Sequence, residues 1–84
     1  MLHKTRGIVL HTLPYGDKYL IVAIYTELFG RVGYLTTPAR RGKRGVAQAL
    51  LMPLSLLELE VEHRNDRDLQ RIREARSLSI PTAL

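Results

Sequence analysis

From Leu54 to His63 the chain keeps a period of two, with Leu57, Leu59 and Val61 alternating with Glu58, Glu60 and Glu62. Successive strand residues point to opposite faces, so this stretch reads as a strand that buries its aliphatic side chains and wets its glutamates. Such a strand needs partners, because an unpaired edge offers its backbone to other chains. The partners must come from nearby, since 84 residues have surface enough for one core and one domain. A domain of this size buries roughly 60–65% of the surface its unfolded chain exposes, which leaves it little stability to spare.

Three earlier segments qualify as strands. Gly7 to Leu13 is β-branched and apolar with interspersed polar groups. Pro14-Tyr15-Gly16-Asp17 then concentrates turn formers. Lys18 to Thr26 is apolar on both faces in its middle, as suits a strand covered on both sides. Glu27 to Arg31 connects it to Val32–Thr37, with Gly30 at the left-handed position of a bulged hairpin. In that third strand Val32, Tyr34 and Thr36 share one face and Gly33, Leu35 and Thr37 the other. Pro38 ends it. Ala39 to Gly45 is a glycine-punctuated polar loop, and Val46 to Met52 has the composition of a short helical turn closed by Pro53.

After the turn Asn65-Asp66-Arg67-Asp68, residues 69–76 fit two templates. Asp68 is able to cap a helix with Leu69, Ile72 and Arg76 on one stripe. The same residues also make a fifth strand, paired with the fourth across a hairpin. Ser77 to Leu84, with Pro81, reads as the start of a linker. Four or five short strands in one all-β domain predict a small barrel, because closure removes the edges an open sheet would expose.

The chain has no cysteine, which excludes disulfides, iron–sulfur clusters, cysteine-based zinc sites and thiol nucleophiles. The apolar run Leu20 to Tyr25 is far shorter than the ~20 residues of a membrane helix, and no secretory signal pattern follows Met1. A cytoplasmic protein without a membrane partner is the expectation. The net charge of +5 and an isoelectric point near 10.1 favour a polyanionic partner.

That charge is concentrated. Arg40, Arg41, Lys43 and Arg44 fall within five positions, with no acid among them and glycines on both sides of Lys43-Arg44. Arginine forks bind phosphate oxygens bidentately and stack on bases, so this composition suits nucleic acid, although a merely solvated loop would look the same. A second basic set, Arg64, Arg67, Arg71, Arg73 and Arg76, is diluted by Asp66, Asp68 and Glu74. Aromatic rings are scarce, so most belong to the core, and Tyr34 is the candidate stacking ring beside the basic loop. His3, His11 and His63 are too scattered for a metal site, and the glycines form no phosphate-binding fingerprint. No catalytic constellation, metal or cofactor is therefore expected. The glutamates of 58–62 read as a solvated strand face able to meet the basic tail across a hairpin.

In their order and spacing, several segments resemble the N-terminal domain of the RecO family of recombination mediators. They are Lys4-Thr5-Arg6-Gly7-Ile8-Val9-Leu10, Tyr15-Gly16-Asp17, Leu20-Ile21-Val22, Tyr25-Thr26-Glu27, Gly30-Arg31, Ala39-Arg40-Arg41 and Pro53 to Leu59. One departure is Pro38, where many relatives carry glycine; it stiffens the approach to the basic loop. The resemblance implies a five-stranded OB-fold barrel over residues 1–77, with 69–76 as the fifth strand and the basic loop and short helix between strands three and four. Residues 78–84 would then begin a linker to a helical domain, often zinc-bearing in relatives, where single-strand-binding protein docks.

The resemblance further implies sequence-independent binding of single- and double-stranded DNA, strand annealing, recombinase loading and a RecR-type partner. The expected DNA contacts are Arg40, Arg41, Lys43 and Arg44, flanked by Arg6 and Arg31, with Tyr34 stacking. A barrel alone would keep DNA contact and lose mediator activity. The competing reading is a protein-interaction barrel whose basic loop meets an acidic partner without touching DNA.

Overall fold

The computed structural model describes residues 2–37 and 48–78. Five strands, β1 (Leu2–Tyr15), β2 (Tyr19–Thr26), β3 (Gly30–Thr36), β4 (Leu56–Glu62) and β5 (Leu69–Ser77), follow in order, with a 3-10 turn Gln48–Leu51 before β4. They close in the order β1-β2-β3-β5-β4, β4 returning to β1. All neighbours are antiparallel except β3 and β5, which pair in parallel over Gly33–Leu35 and Leu69–Arg71. This is a five-stranded OB-fold barrel.

β1 makes closure possible. Over Leu2–Ile8 it pairs with β4, and over Gly7–Tyr15 with β2. The two ladders overlap at Gly7 and Ile8, where the strand has neighbours on both edges. A bulge follows: Val9 opposes Ile24 and His11 opposes Ala23, so Leu10 is the extra residue. Bulges bend and twist a strand, which lets β1 leave one sheet direction and join another. Gly7 faces inward at the overlap, and a Cβ there would lie 2.5 Å from Ile24 Cγ2 and 3.2 Å from the Tyr25 carbonyl oxygen.

The strand starts five residues before the expected Gly7 because its early inward positions are His3, Thr5 and Gly7, not aliphatic residues. Buried Thr5 accepts a hydrogen bond at Oγ1 from the Leu28 N–H at 3.2 Å. Thr26 Oγ1 accepts from the Phe29 N–H at 3.0 Å and donates to the Gly30 carbonyl at 2.9 Å. The two hydroxyls fix the β2–β3 turn, and Gly30 takes its left-handed position there at φ 67°. At the other hairpin only Gly16–Lys18 turn, with Gly16 at φ 64°; Pro14 and Tyr15 belong to the strand. Proline is tolerated because β1 pairs with β2 alone beyond Val9 among the described residues.

Val9, Val22, Ile24, Val32, Tyr34, Leu57, Leu59 and Val61 fill the barrel, and Leu51 of the 3-10 turn joins them. At one end Phe29 lies flat against His63, ring centroids 3.8 Å apart, while His3 meets it edge-on at 5.2 Å. Two of the three histidines thus serve packing. Before β4, Leu54 holds φ 68°, pinned by its N–H donating to the Val9 carbonyl at 2.7 Å.

Residues 69–76 are strand, which settles the two templates in favour of the hairpin partner. β5 also carries a bulge: Glu60 opposes Glu74 and Val61 opposes Ile72, leaving Arg73 as the extra residue. The linker reading falls on residues 78–84, of which Leu78 alone is described; its N–H still bonds the Leu56 carbonyl at 2.9 Å.

Replacing Gly7 with alanine forces Ile24 and the β2 backbone apart at the point where both ladders meet. Urea unfolding should show the variant destabilised by about 1–3 kcal/mol, as for other overpacked cores. An unchanged midpoint would mean that β1 has freedom the close approach denies it.

Candidate nucleic-acid interface

The outer surface of the barrel divides by charge. The outward residues of the first half of β1, of β4 and of β5 form cross-strand rows: Arg6 beside Glu58 beside Arg76, and Lys4 beside Glu60 beside Glu74. Arg6 Nε bonds Glu27 Oε1 at 3.1 Å, and Arg76 Nη2 lies 3.7 Å from Glu58 Oε2. A cavity of about 290 Å³ opens over these rows, lined by both signs of charge. The expected mating of the β4 glutamates with the basic tail is therefore realised at Glu58 and Arg76. Such exposed pairs are worth little in stability, yet they occupy the cations that form them.

The other face is different in kind. Residues 8–15, 19–26 and 30–36, which make up the second half of β1 and all of β2 and β3, contain no acidic residue. Its outward rows are Ile8–Tyr25–Arg31, His11–Ala23–Gly33 and Leu13–Ile21–Leu35, with Tyr15 opposite Tyr19 at the hairpin end. Tyr25 is 58% exposed, Tyr15 53% and Tyr19 39%. Arg31 Nη2 lies 3.3 Å from His11 Nε2 across small Ala23 and, among the described residues, forms no ion pair. Arg71 of β5 registers with Leu35 at the border of this face and likewise forms no ion pair among them.

The β4–β5 loop at the border is held by one buried side chain. Gln70 accepts from the Arg64 N–H at 2.8 Å and donates to the carbonyls of Arg64 and Arg67 at 2.7 and 2.9 Å. Both of its amide N–H groups and its amide oxygen are engaged in fixing that loop. Arg64 and Arg67 are then drawn to Asp66 at 3.0 Å and Glu62 at 3.5 Å.

The sequence candidates fall into three groups. Arg40, Arg41, Lys43 and Arg44 lie outside the described residues. The chain reaches that segment from Thr37, directly after Thr36, which opposes Leu20 one residue from Tyr19. Arg6 and Arg31 are separated: Arg31 sits on that face, whereas Arg6 stands with the glutamates.

Tyr34 requires a correction. It is fully buried, on the inward side with Val32 and Thr36, and has no ring face to offer a base. The alternation already visible in β3 carried that signal, because Tyr34 shares parity with core Val32. Conversely, Tyr15, Tyr19 and Tyr25 occupy odd, outward positions, as hairpin pairing requires.

Tyr34 also carries a buried hydroxyl without a hydrogen-bond partner among the described residues, and burial pushes its pKa up to about 12. No three His, Cys, Asp or Glu side chains among the described residues group to hold a metal. No helix there is long and apolar enough to cross a membrane.

OB barrels include proteins that receive oligonucleotides or oligosaccharides on the β2–β3 face, and in this barrel that face is free of acid and carries exposed rings. The chain matches the family described as Recombination protein O N terminal over residues 1–81, and it belongs to that family. It is 48% identical over 84 residues to the DNA repair protein RecO of Bacteroides fragilis, covering all of this chain and 35% of that protein. With its counterpart from Azobacteroides pseudotrichonymphae identity is 47% over 77 residues, covering 92% and 32%. With that of Porphyromonas gingivalis it is 42% over 82 residues, covering 95% and 34%. The chain thus spans about a third of the length of these relatives.

The Tyr34 hydroxyl sets an alkaline limit. Its pKa is higher folded, about 12, than the ordinary 10.0, so its contribution is intact below pH 10 and is lost as pH rises toward 12. Tyr34→Phe removes both the unpaired hydroxyl and this loss. Unfolding measured from pH 8 to 12 should show the variant at least as stable at pH 8 and with a flatter alkaline decline. An equal decline in both proteins would assign the effect to other groups.

Proposed function

We propose that this chain is the DNA-contacting barrel of a recombination-mediator protein, serving DNA repair by homologous recombination. Arg40, Arg41, Lys43 and Arg44 neutralise phosphates without reading sequence, on single and double strands alike. Arg31 extends that track along β3, and Arg6, held by Glu27, stands at its margin. The observation that carries the reading is the distribution of charge. Along the sequence no acidic residue lies between Glu27 and Glu58, the stretch that holds those four, and without them the chain has nine cations against eight anions. They begin four residues beyond the end of β3, a strand of the acid-free face.

Phosphate neutralisation releases counterions, which makes such binding strong in low salt and indifferent to sequence. The relatives' name, DNA repair protein RecO, supports the same direction. Within the whole protein the barrel, residues 1–77, is linked through 78–84 to a helical domain. It supports annealing and recombinase loading together with a RecR-type partner, and single-strand-binding protein docks on the distal domain. This work belongs to the cytoplasm, at the nucleoid, and needs no cofactor.

Titrating the chain onto labelled single- and double-stranded oligonucleotides by anisotropy tests the reading. The logarithm of affinity should fall with the logarithm of salt at a slope of roughly −3 to −4. Arg40→Glu with Arg41→Glu should weaken binding to every sequence alike and reduce that slope by about two or more, with circular dichroism unchanged. A double variant that binds as well as the original protein overturns the loop assignment.

A further inference from the structure

The DNA-binding reading gives Arg31 a phosphate and leaves the histidine beside it without a task. We infer that His11 couples phosphate binding to proton uptake, so that the barrel holds DNA more tightly as pH falls from about 8 to about 6. The inference deepens the DNA-binding reading and rests on it.

The geometry of one pair carries it. Arg31 Nη2 lies 3.3 Å from His11 Nε2, and both side chains are exposed. Ala23 and Gly33 complete the row of His11, so no larger side chain stands between the two. A guanidinium has donors and no acceptor. Nε2 therefore presents its lone pair to Arg31, and the proton of the neutral ring sits on Nδ1. A second proton on the ring would remove that acceptor and set two cations side by side.

The surroundings hold no carboxylate to separate them among the described residues. The strands of this face contain none, and Asp17 and Lys18 belong to the hairpin turn beyond Tyr15. Glu27, in the turn at the other end, is bonded to Arg6 at 3.1 Å. Glu58, Glu60 and Glu62 register with Arg6, Lys4 and Leu2 on the other flank. Leu54 and Ser55, which meet the other edge of β1 at Val9, are uncharged, as is the 3-10 turn Gln48–Leu51. Tyr25, opposite Arg31, is the remaining ionisable neighbour. Neither a phenol nor a guanidinium changes charge between about pH 6 and pH 8.

A phosphate oxygen removes the conflict. It accepts from Arg31 and from a protonated Nε2 alike, and it replaces an acceptor that titrates with one that does not. The neutral ring turns a lone pair toward the same anion and has nothing to donate from Nε2. Bound phosphate thus favours the charged ring, with the proton drawn from the buffer, and by reciprocity the charged ring favours phosphate. The contact is with the backbone of the nucleic acid, so single and double strands share it.

Anisotropy titrations in phosphate-free buffer, at one salt concentration, test this on the original protein and on His11→Gln. Affinity of the original for labelled single- and double-stranded oligonucleotides should rise roughly three- to tenfold from about pH 8 to pH 6, and that of His11→Gln less than about twofold. His11→Lys, a cation throughout, should bind at the alkaline end as the original binds at the acidic end, with a flat profile. Calorimetric titration at about pH 7, in two buffers of different ionisation heat, should register uptake of a fraction of a proton per complex, absent in His11→Gln.

His3 and His63 are packed about Phe29 at one end of the barrel, and a profile due to them would persist in His11→Gln. A profile as steep in that variant as in the original, binding by the original that ignores pH, or no proton uptake each overturns the inference. The underlying reading fails differently: the protein then binds neither form at any pH, or the Arg40 and Arg41 reversal changes nothing.

Discussion

The fold depends on one residue having no side chain. Where β1 passes from β4 to β2, it must pair on both edges while bending, and the inner side of the bend is already occupied by Ile24 and Leu59. Gly7 lets the backbone fill that space itself, and the bulge at Leu10 turns the remainder of the strand onto β2. Without this passage β4 would lose its ladder with β1, and the parallel contact of β3 with β5, three residues long, would be the one strand pairing left between the two halves among the described residues. The barrel is therefore closed by its most crowded point, where the first strand serves two sheets.

Much of this was legible in the chain. The aliphatic–glutamate alternation of β4, the paired glycine turns and the inward parity of Val32 and Val61 follow directly from side-chain chemistry. The start of β1 was not legible, because its inward residues are a histidine, a threonine and a glycine, held by hydrogen bonds and close approach in place of apolar burial. The last strand was legible only as two templates, a helix with Leu69, Ile72 and Arg76 on one stripe or the hairpin partner of β4, and the structure bears out the strand. Its bulge at Arg73 separates inward Ile72 from inward Ala75 by three residues, and a spacing of three is what an amphipathic helix displays. A defect in one ladder copies the period of another structure, and only the pairing partner exposes the copy.

At the candidate interface the pattern of success is similar. The basic cluster is plain in one dimension, since charge needs no fold to be counted. The separation of Arg6 from Arg31 is a three-dimensional fact: residues on the two flanks of one barrel face opposite electrostatic surroundings. Tyr34 was placed on the wrong side of its strand, although its companions Val32 and Thr36 pointed inward with it. The rings that do reach solvent were visible in the chain as neighbours of turns, where exposure is decided by hairpin geometry and not by the residue.

The partition of charge between the two faces has a consequence in time as well as in space. One flank sets Lys4, Arg6 and Arg76 against Glu27, Glu58, Glu60 and Glu74, whereas Arg31, which forms no ion pair among the described residues, stands on the acid-free face, so the charge of the barrel is lopsided. If the proposed function holds, the field of a polyanion would orient the barrel during approach, with the acid-free face forward. Association of this kind is quickened by selection of orientation during approach, and dissolved ions blunt it once their screening length falls below the width of the barrel.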